Sequence, residues 1–427
     1  MSLRFMLIGI SLLAGPVLAS ADTAPNVVTH WANIVQQSIH NANAPRSAGT
    51  SQLLHTMVAL AVYDAVMAIE GGYEPYAATI QPAGAADVRA AAATAAYLTA
   101  RGRVAPSQID YLDQQYAAYL ATIADGPAKI GGIAVGEKSA AAILTLRADD
   151  GFNNIVLYEC SAIPPPPGEF EPDAGCPAAP GAPQPVDTKL GLIKSFTHNV
   201  PGRFRPDGPD PMTSSAYTDD FIETRDYGRV DSAFRSADQT DIAYFWAENP
   251  YVFWNRNLVG LAISRGLSVR ETARFFAMVH TAVADAIVAG FEAKYHYAAW
   301  RPRTAIPRAD ADGNPDTDAD PTWKPLLMVN HPEYPSGHGF WSTALLETVA
   351  RFFGRAKLNW TIVTSKSAVP PLVQGERTYD HVNTLMREVI DARVWAGLHW
   401  RNSMMHGAQV GRRVAAHVTN QFFRPTR

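Results

Sequence analysis

The sequence predicts an all-α protein, a helical bundle carrying one long irregular insertion, and three observations support that expectation. Apolar residues recur at helical spacing in block after block. The blocks are Ala-rich and turn residues separate them, as in an antiparallel bundle. One stretch, residues 153–211, is too rich in proline for a continuous helix or a central strand. With 47% of its 427 residues hydrophobic, the chain can bury an extensive core, in one large domain or two intimate ones.

The first element reads as a leader. A charged start, Met1 to Arg4, precedes an apolar run from Phe5 to Leu18 and a small-residue site at Ala19, Ser20 and Ala21. That order marks residues 1–21 as a secretory signal peptide cut before Asp22. As a membrane anchor the run is too short to span a bilayer comfortably. The protein is therefore expected to be exported, to the periplasm or beyond, with residues 22–427 forming a single helical domain. Five helices follow, at residues 27–39, 52–69, 85–100, 107–121 and 129–148. No long uncharged apolar stretch is read after the leader, so no membrane span is expected in the mature chain.

Residues 153–211 change texture. Pro164 to Pro167, Pro172, Pro177, Pro180, Pro183 and Pro185 impose a long irregular surface segment. Such a segment in a compact protein is often functional, and two roles stay open, part of a substrate entrance or passive cover. Cys160 and Cys176, the chain's two cysteines, bracket its proline-rich loop. In an oxidising compartment they would pair and staple it; two free thiols are the alternative. Helical spacing resumes at residues 236–246, 251–265, 268–300, 339–353, 377–394 and 404–422, without internal repeats.

The net charge of −4 and the lack of a basic run argue against nucleic acid as a partner. The chemistry lies in three short blocks. Lys294 stands seven residues before Arg301 and Pro302. Pro335, Ser336, Gly337 and His338 follow, and Arg393 then stands six residues before His399. Three cations, a hydroxyl beside glycine and two imidazoles suit a site that surrounds a small tetrahedral oxyanion. Lys and Arg supply charge-assisted donors. The amides of Ser336 and Gly337, at a helix start, add more, and Gly337 lets the backbone approach closely.

A seven-residue gap is near two helical turns, so Lys294 and Arg301 are expected on one face of a helix that Pro302 ends. Taken alone, such a pair reads as two solvated charges. Ser336 lacks a G-x-S-x-G elbow and reads as a donor, not a nucleophile. Gly397 is expected to end a helix and swing His399 towards the anion.

The three blocks, in this order and with these gaps, resemble the signature of the vanadium-dependent haloperoxidase and type 2 phosphatidic acid phosphatase (PAP2) superfamily. Residues 276–411 are similar to its soluble, secreted bacterial branch nearest the haloperoxidases; the amino-terminal half is similar only in general style. The resemblance implies the superfamily's helical bundle and places the oxyanion site within 276–411. It implies vanadate as cofactor, with His399 the protein ligand to vanadium. Lys294, Arg301, Ser336, Gly337 and Arg393 would compensate the oxygens. His338 would take a proton from hydrogen peroxide, Lys294 would polarise the peroxide, and halide would become a hypohalous species that halogenates an organic acceptor. His331 occupies a place where chloroperoxidases tend to carry an aromatic, which favours bromide. The expected partners are thus small molecules: hydrogen peroxide, halide and the acceptor.

Vanadate shares its five-coordinate geometry with the transition state of phosphoryl transfer, so two other readings stay open. In an exported acid phosphatase with no cofactor, His399 would attack a phosphomonoester to form a phosphohistidine, and His338 would protonate the leaving alcohol. In a non-enzymatic oxyanion-binding protein, the two histidines would have no purpose.

Two positions depart from the family pattern. Ser403 stands where an aspartate is frequent, and Ala392 where a serine is frequent, which leaves the partner of His399 open. Asp285 is a candidate orienting carboxylate for His399 or Arg393, or else one half of a buried structural ion pair; His331 is a second candidate for outer support. Asp310, Asp312, Asn314, Asp316 and Asp318 fit a solvated turn better than a calcium loop, because the glycine is misplaced and no closing glutamate follows. His55, near Asp64, reads as a core histidine. Trp246, Trp254, Trp300, Trp323 and Trp400 read as core or pocket walls.

Overall fold

The computed structural model describes residues 24–41, 46–176, 181–365 and 374–426. The expected signal peptide lies outside them. The described residues form thirteen α-helices and one two-stranded sheet, so the fold is all-α. Helices α1 (Val27–His40), α2 (Ala48–Glu70), α3 (Val88–Arg101), α4 (Ile109–Ala121) and α5 (Pro127–Leu146) build the amino-terminal half. After the proline-rich segment come α6 (Ser215–Gly228), α7 (Ala237–Phe245), α8 (Pro250–Ser264) and α9 (Val269–Tyr297). The short α10 (Pro302–Ala305), α11 (Gly337–Phe352), α12 (Val382–Trp395) and α13 (Arg401–Gln421) complete the set.

Helix α9 is the axis of the bundle. It starts at a capping box, in which the Ser268 hydroxyl accepts from the Glu271 amide and the Glu271 carboxylate accepts from the Ser268 amide. Residues from Phe275 to Gly290 are buried without interruption. Helices α2, α11 and α13 pack around it. One continuous cluster of buried apolar side chains draws on α1, α2, α3, α8, α9, α11, α12 and α13. Contrary to the sequence reading, α2 and α9 are each long and apolar enough to cross a membrane on composition alone. Both are enclosed by neighbouring helices, which is where such surface is satisfied in a bundle.

Three other elements differ from expectation. Helix α6 was passed over, although Ser214 caps it by accepting from the Tyr217 amide. Residues 377–381 are strand, not helix. They belong to β2 (Glu376–His381), antiparallel to β1 (Lys357–Val363) with Trp360 opposite Tyr379. Thr378 and Tyr379 suit a pleated surface, and the His381 ring, accepting from the Asn383 amide at 3.0 Å, starts α12 after the strand. The third difference, the early end of α9, bears on the site.

The proline-rich segment wraps the carboxy-terminal end of α9. Cys160 and Cys176 are joined in a disulfide with a Cα separation of 6.1 Å. Phe170 and Trp300 donate to the carbonyls of Ala298 and Gly168 at 2.7 and 2.9 Å, and Val186 donates to Asn330 at 2.8 Å. The segment thereby fixes the loops that follow α9.

The close approach of α11 and α13 sets the position of residues 335–338. A Cβ on Gly407 would lie 2.6 Å from the Ser336 carbonyl, and one on Gly411 2.6 Å from that of Phe340. Backbone meets backbone there, and neither helix can yield without moving the other. Gly407→Ala should lower stability by roughly 1–3 kcal/mol, the usual cost of overpacking. An unchanged urea midpoint would contradict this packing.

Candidate oxyanion site

Four chain segments meet at one buried point. Lys294, in the last turn of α9, is 0% exposed, and its Nζ donates to the carbonyls of Pro332 and Glu333 at 2.9 Å each. Ala298, with φ of 43°, then ends the helix in the left-handed region. Arg301 is therefore not on the face of α9, as the spacing suggested. It is the N-cap residue of α10, and Pro302 begins that helix instead of ending the previous one. Arg301 still reaches the same point. Its Nε donates to the His331 carbonyl at 2.6 Å and its Nη1 to that of Leu398 at 2.7 Å. His331 places Nδ1 3.0 Å from Arg301 Nη2, so its ring stands against the guanidinium.

Ser336 caps the start of α11 without a side-chain cap bond. Its Oγ is buried and has no hydrogen-bond partner. The Ser336 amide donates to the Ser403 carbonyl at 3.1 Å and so is not available to a ligand, contrary to expectation. The amides of Gly337 and His338, in the first turn, have no partner within the helix. A Cβ on Gly337 would meet nothing closer than the Phe340 ring at 3.9 Å, so the backbone is open there.

Arg393, 4% exposed in the last turn of α12, donates from Nη1 to the Trp246 carbonyl at 2.9 Å, while its buried Nε has no partner. Gly397, with φ of 71°, turns the chain after α12. A Cβ there would lie 2.5 Å from the Gly228 carbonyl, so the turn requires glycine on both counts. Two residues later His399 enters the site.

The partner of His399 is Glu333. The carboxylate Oε1 lies 2.6 Å from Nδ1 and also accepts from the Trp400 amide at 3.2 Å. With Nδ1–H donating to the carboxylate, Nε2 points away and keeps its lone pair. Asp285 does not serve here. It accepts from the amides of Phe196 and Thr197, at 2.6 and 3.0 Å, and from the Thr197 hydroxyl, and so pins that loop to α9. Glu333 was not among the sequence candidates, although it stands only two residues before the second block. Ser403, in place of the frequent aspartate, gives its carbonyl to Ser336, and its hydroxyl lies 3.5 Å from the Glu333 carbonyl.

The electrostatics follow from burial. Lys294 is held well below the usual lysine range, first by desolvation and then by Arg301, with Glu333 opposing. Desolvation brings Arg301 and Arg393 down to about 9, with Glu333 opposing at Arg301 and Arg301 adding at Arg393, so both keep their charge at neutral pH. His399 is driven neutral by burial, then by Arg301, Lys294 and Arg393. His338 is driven neutral by burial and then by Arg393, with the Trp246 carbonyl opposing. Burial raises Glu333 to about 7 although Lys294 and Arg301 pull it down. These mutual influences tie the residues into one charge cluster.

The other candidates fall elsewhere. Asp312 accepts from the Asn314 amide at 2.7 Å and the Thr317 hydroxyl at 2.8 Å, a local turn. No group of three or more His, Cys, Asp or Glu residues is placed to hold a cation among the described residues. The buried His55 lies against Tyr251 at 3.0 Å.

Residues 274–426, which contain all three blocks, match the family described as the VCPO second helical-bundle domain. That region is thus of the vanadium haloperoxidase type. Vanadium chloroperoxidase of Curvularia inaequalis is 27% identical over 230 residues, 40% of this chain and 37% of that protein. A likeness of fold to solved structures extends over nearly the whole chain. The first bacterial vanadium-dependent iodoperoxidase structure superposes with a TM-score of 0.76 at 19% identity, covering 93% of this chain and 96% of that one. A holo-type bacterial vanadium-dependent chloroperoxidase gives 0.72 at 18% identity, covering 95% and 98%.

An oxyanion fits this superfamily site on its own chemistry. Ser336 Oγ and Arg393 Nε are buried without partners, and three cations share one carboxylate. Lys294→Met keeps the apolar stem and removes the charge. Orthovanadate affinity, measured by calorimetry, should fall roughly tenfold or more, the worth of a charge-assisted hydrogen bond. Equal affinity in variant and wild type would remove Lys294 from the site.

Proposed function

We propose that this protein is an exported vanadium-dependent haloperoxidase that uses hydrogen peroxide to oxidise halide, bromide by preference, for halogenation of organic acceptors. The observation that carries the reading is the set of Lys294, Arg301 and Arg393, buried with a histidine whose Nδ1 is fixed by Glu333 at 2.6 Å. The names of the matched relatives support a haloperoxidase over a phosphatase. The Cys160–Cys176 disulfide agrees with an oxidising compartment. His331, beside Arg301 where chloroperoxidases tend to carry an aromatic, supports bromide.

Each residue then has a task. His399 Nε2 would bind vanadium, and Glu333 would hold the ring in that tautomer. Lys294, Arg301, Arg393, Ser336 Oγ and the Gly337 amide would neutralise the vanadate oxygens. Bound vanadate would supply the Lewis acidity that makes hydrogen peroxide an oxidant for halide. His338, kept neutral by burial and by Arg393, accepts the proton that hydrogen peroxide gives up. Lys294 adds positive charge where the peroxide develops negative charge.

Purified protein should consume hydrogen peroxide in the presence of bromide only after orthovanadate is added. Hydrolysis of a phosphomonoester, inhibited by orthovanadate and without halide oxidation, would instead establish the phosphatase. Within the haloperoxidase, His399→Ala should abolish tight orthovanadate binding, since it removes the one protein ligand. His338→Ala should leave binding near that of the wild type and lower turnover roughly a hundredfold or more, as loss of a general base does. Equal loss of affinity in both variants would overturn this division of roles.

A further inference from the structure

Beside Glu333 lies a cavity of about 290 Å³ whose lining does not include His399. It is a second feature of the molecule, separate from the oxyanion cradle. Tyr217, Trp300 and Trp400 form its walls, all nearly buried, with Tyr217 and Trp400 packed edge to face at 5.6 Å. The proline-rich segment and the residues after it close the far side through Gly168, Pro211 and Met212.

The polar lining is rich in acceptors. Glu333 Oε2 and Asn402 Oδ1 are buried and have no hydrogen-bond partner, and Glu333 is 0% exposed. Asp210 and Asp220 also line the cavity. Asp210 accepts from Asn402 Nδ2, and Asp220 accepts from the Asn402 amide at 2.8 Å. Among the described residues neither carboxylate has an ion-pair partner, and burial raises Asp220 to about 6, with Glu223 and Asp210 adding and Arg401 opposing. The neighbouring guanidinium of Arg401 is engaged by Glu223 and Asp391 at 2.6 to 2.8 Å. Lys294 and Arg301 offset Glu333 from the other side, so the uncompensated charge belongs to Asp210 and Asp220. Among the fully buried atoms of this lining, the unpartnered donor is the Tyr217 hydroxyl. Trp300 and Ser403 stand beside Tyr217 and Glu333 and lower their proton affinities, without a hydrogen bond of good geometry to the unpartnered oxygens.

Acceptors in excess call for a ligand that brings donors, negative charge calls for a cation, and aromatic walls favour an apolar body beside that cation. We propose that this cavity binds a small primary ammonium ion carrying an aromatic or apolar body. The ammonium lies among Asp210, Asp220, Asn402 Oδ1 and Glu333 Oε2, and the body lies between Trp300 and Trp400.

The test needs neither peroxide nor vanadate. Calorimetry on the full chain would compare phenethylamine with its neutral analogue 2-phenylethanol, the anion 3-phenylpropionate and the N-trimethylated phenethylammonium. Phenethylamine should bind one to one, roughly tenfold tighter than 2-phenylethanol, as a charge-assisted contact gives. The trimethylated cation, which has no N–H donors, should bind less tightly than phenethylamine, and 3-phenylpropionate should not bind. Asp210→Asn with Asp220→Asn should bring phenethylamine to the level of 2-phenylethanol, whose retained binding shows that the pocket is intact. If the double variant does not fold, Asp210→Asn alone should lower phenethylamine affinity at least threefold, on the order of half a charge-assisted contact. Equal binding of all four probes, saturation by none of them, or a preference that survives these substitutions would overturn the proposal.

Discussion

Three cations crowded into a dry pocket with one carboxylate form the constraint on which the rest of this structure depends. Lys294, Arg301 and Arg393 are almost wholly buried. Uncompensated charge in such a place is costly and shifts its neighbours towards neutral forms. The chain ties these side chains down with carbonyl oxygens: Pro332 and Glu333 for Lys294, His331 and Leu398 for Arg301, Trp246 for Arg393. Carbonyls satisfy N–H donors and fix their direction without cancelling their charge. The pocket therefore stays positive, and the oxyanion we propose there would resolve it.

The architecture serves that end. Each carbonyl lies on a loop or helix terminus, where backbone groups lack intrahelical partners. Those termini are held by close contacts between rigid elements, as where α13 meets α11 at Gly407 and Gly411. Gly397 turns the chain against Gly228 and delivers His399. The proline-rich segment fixes the backbone between α9 and α10 through Gly168 and Phe170. A site of this kind depends on loops, and the bundle makes those loops rigid.

Much of this was legible in the sequence, because the residues that carry charge are few and stand in spaced blocks. Helical periodicity exposed α9 and α11, and the three blocks exposed Lys294, Arg301, Ser336, Gly337, His338, Arg393 and His399. What stayed hidden depended on contacts distant in sequence. Glu333 looks like any loop acid until the chain folds His399 onto it across 66 residues. Asp285 looked like a partner because it is a buried acid on the right helix, yet its bonds go to a loop 88 and 89 residues away. The helical spacing of Lys294 and Arg301 misled, since Ala298 leaves the helix between them. The strand residues 377–381 read as helix in isolation because their pairing partner, β1, ends well before them, at Val363.

The most direct test of the charge argument is the proton balance of anion binding. Calorimetry of orthovanadate binding to the protein, at neutral pH in buffers of different ionisation enthalpy, measures that balance once the anion's own ionisation is subtracted. Lys294 is depressed by burial and by Arg301, and an anion beside it favours its charged form, while His399 stays neutral with Nε2 free to ligate. One-to-one binding with net uptake of on the order of one proton is the predicted result. Binding with proton release, or no saturable binding, would contradict the account.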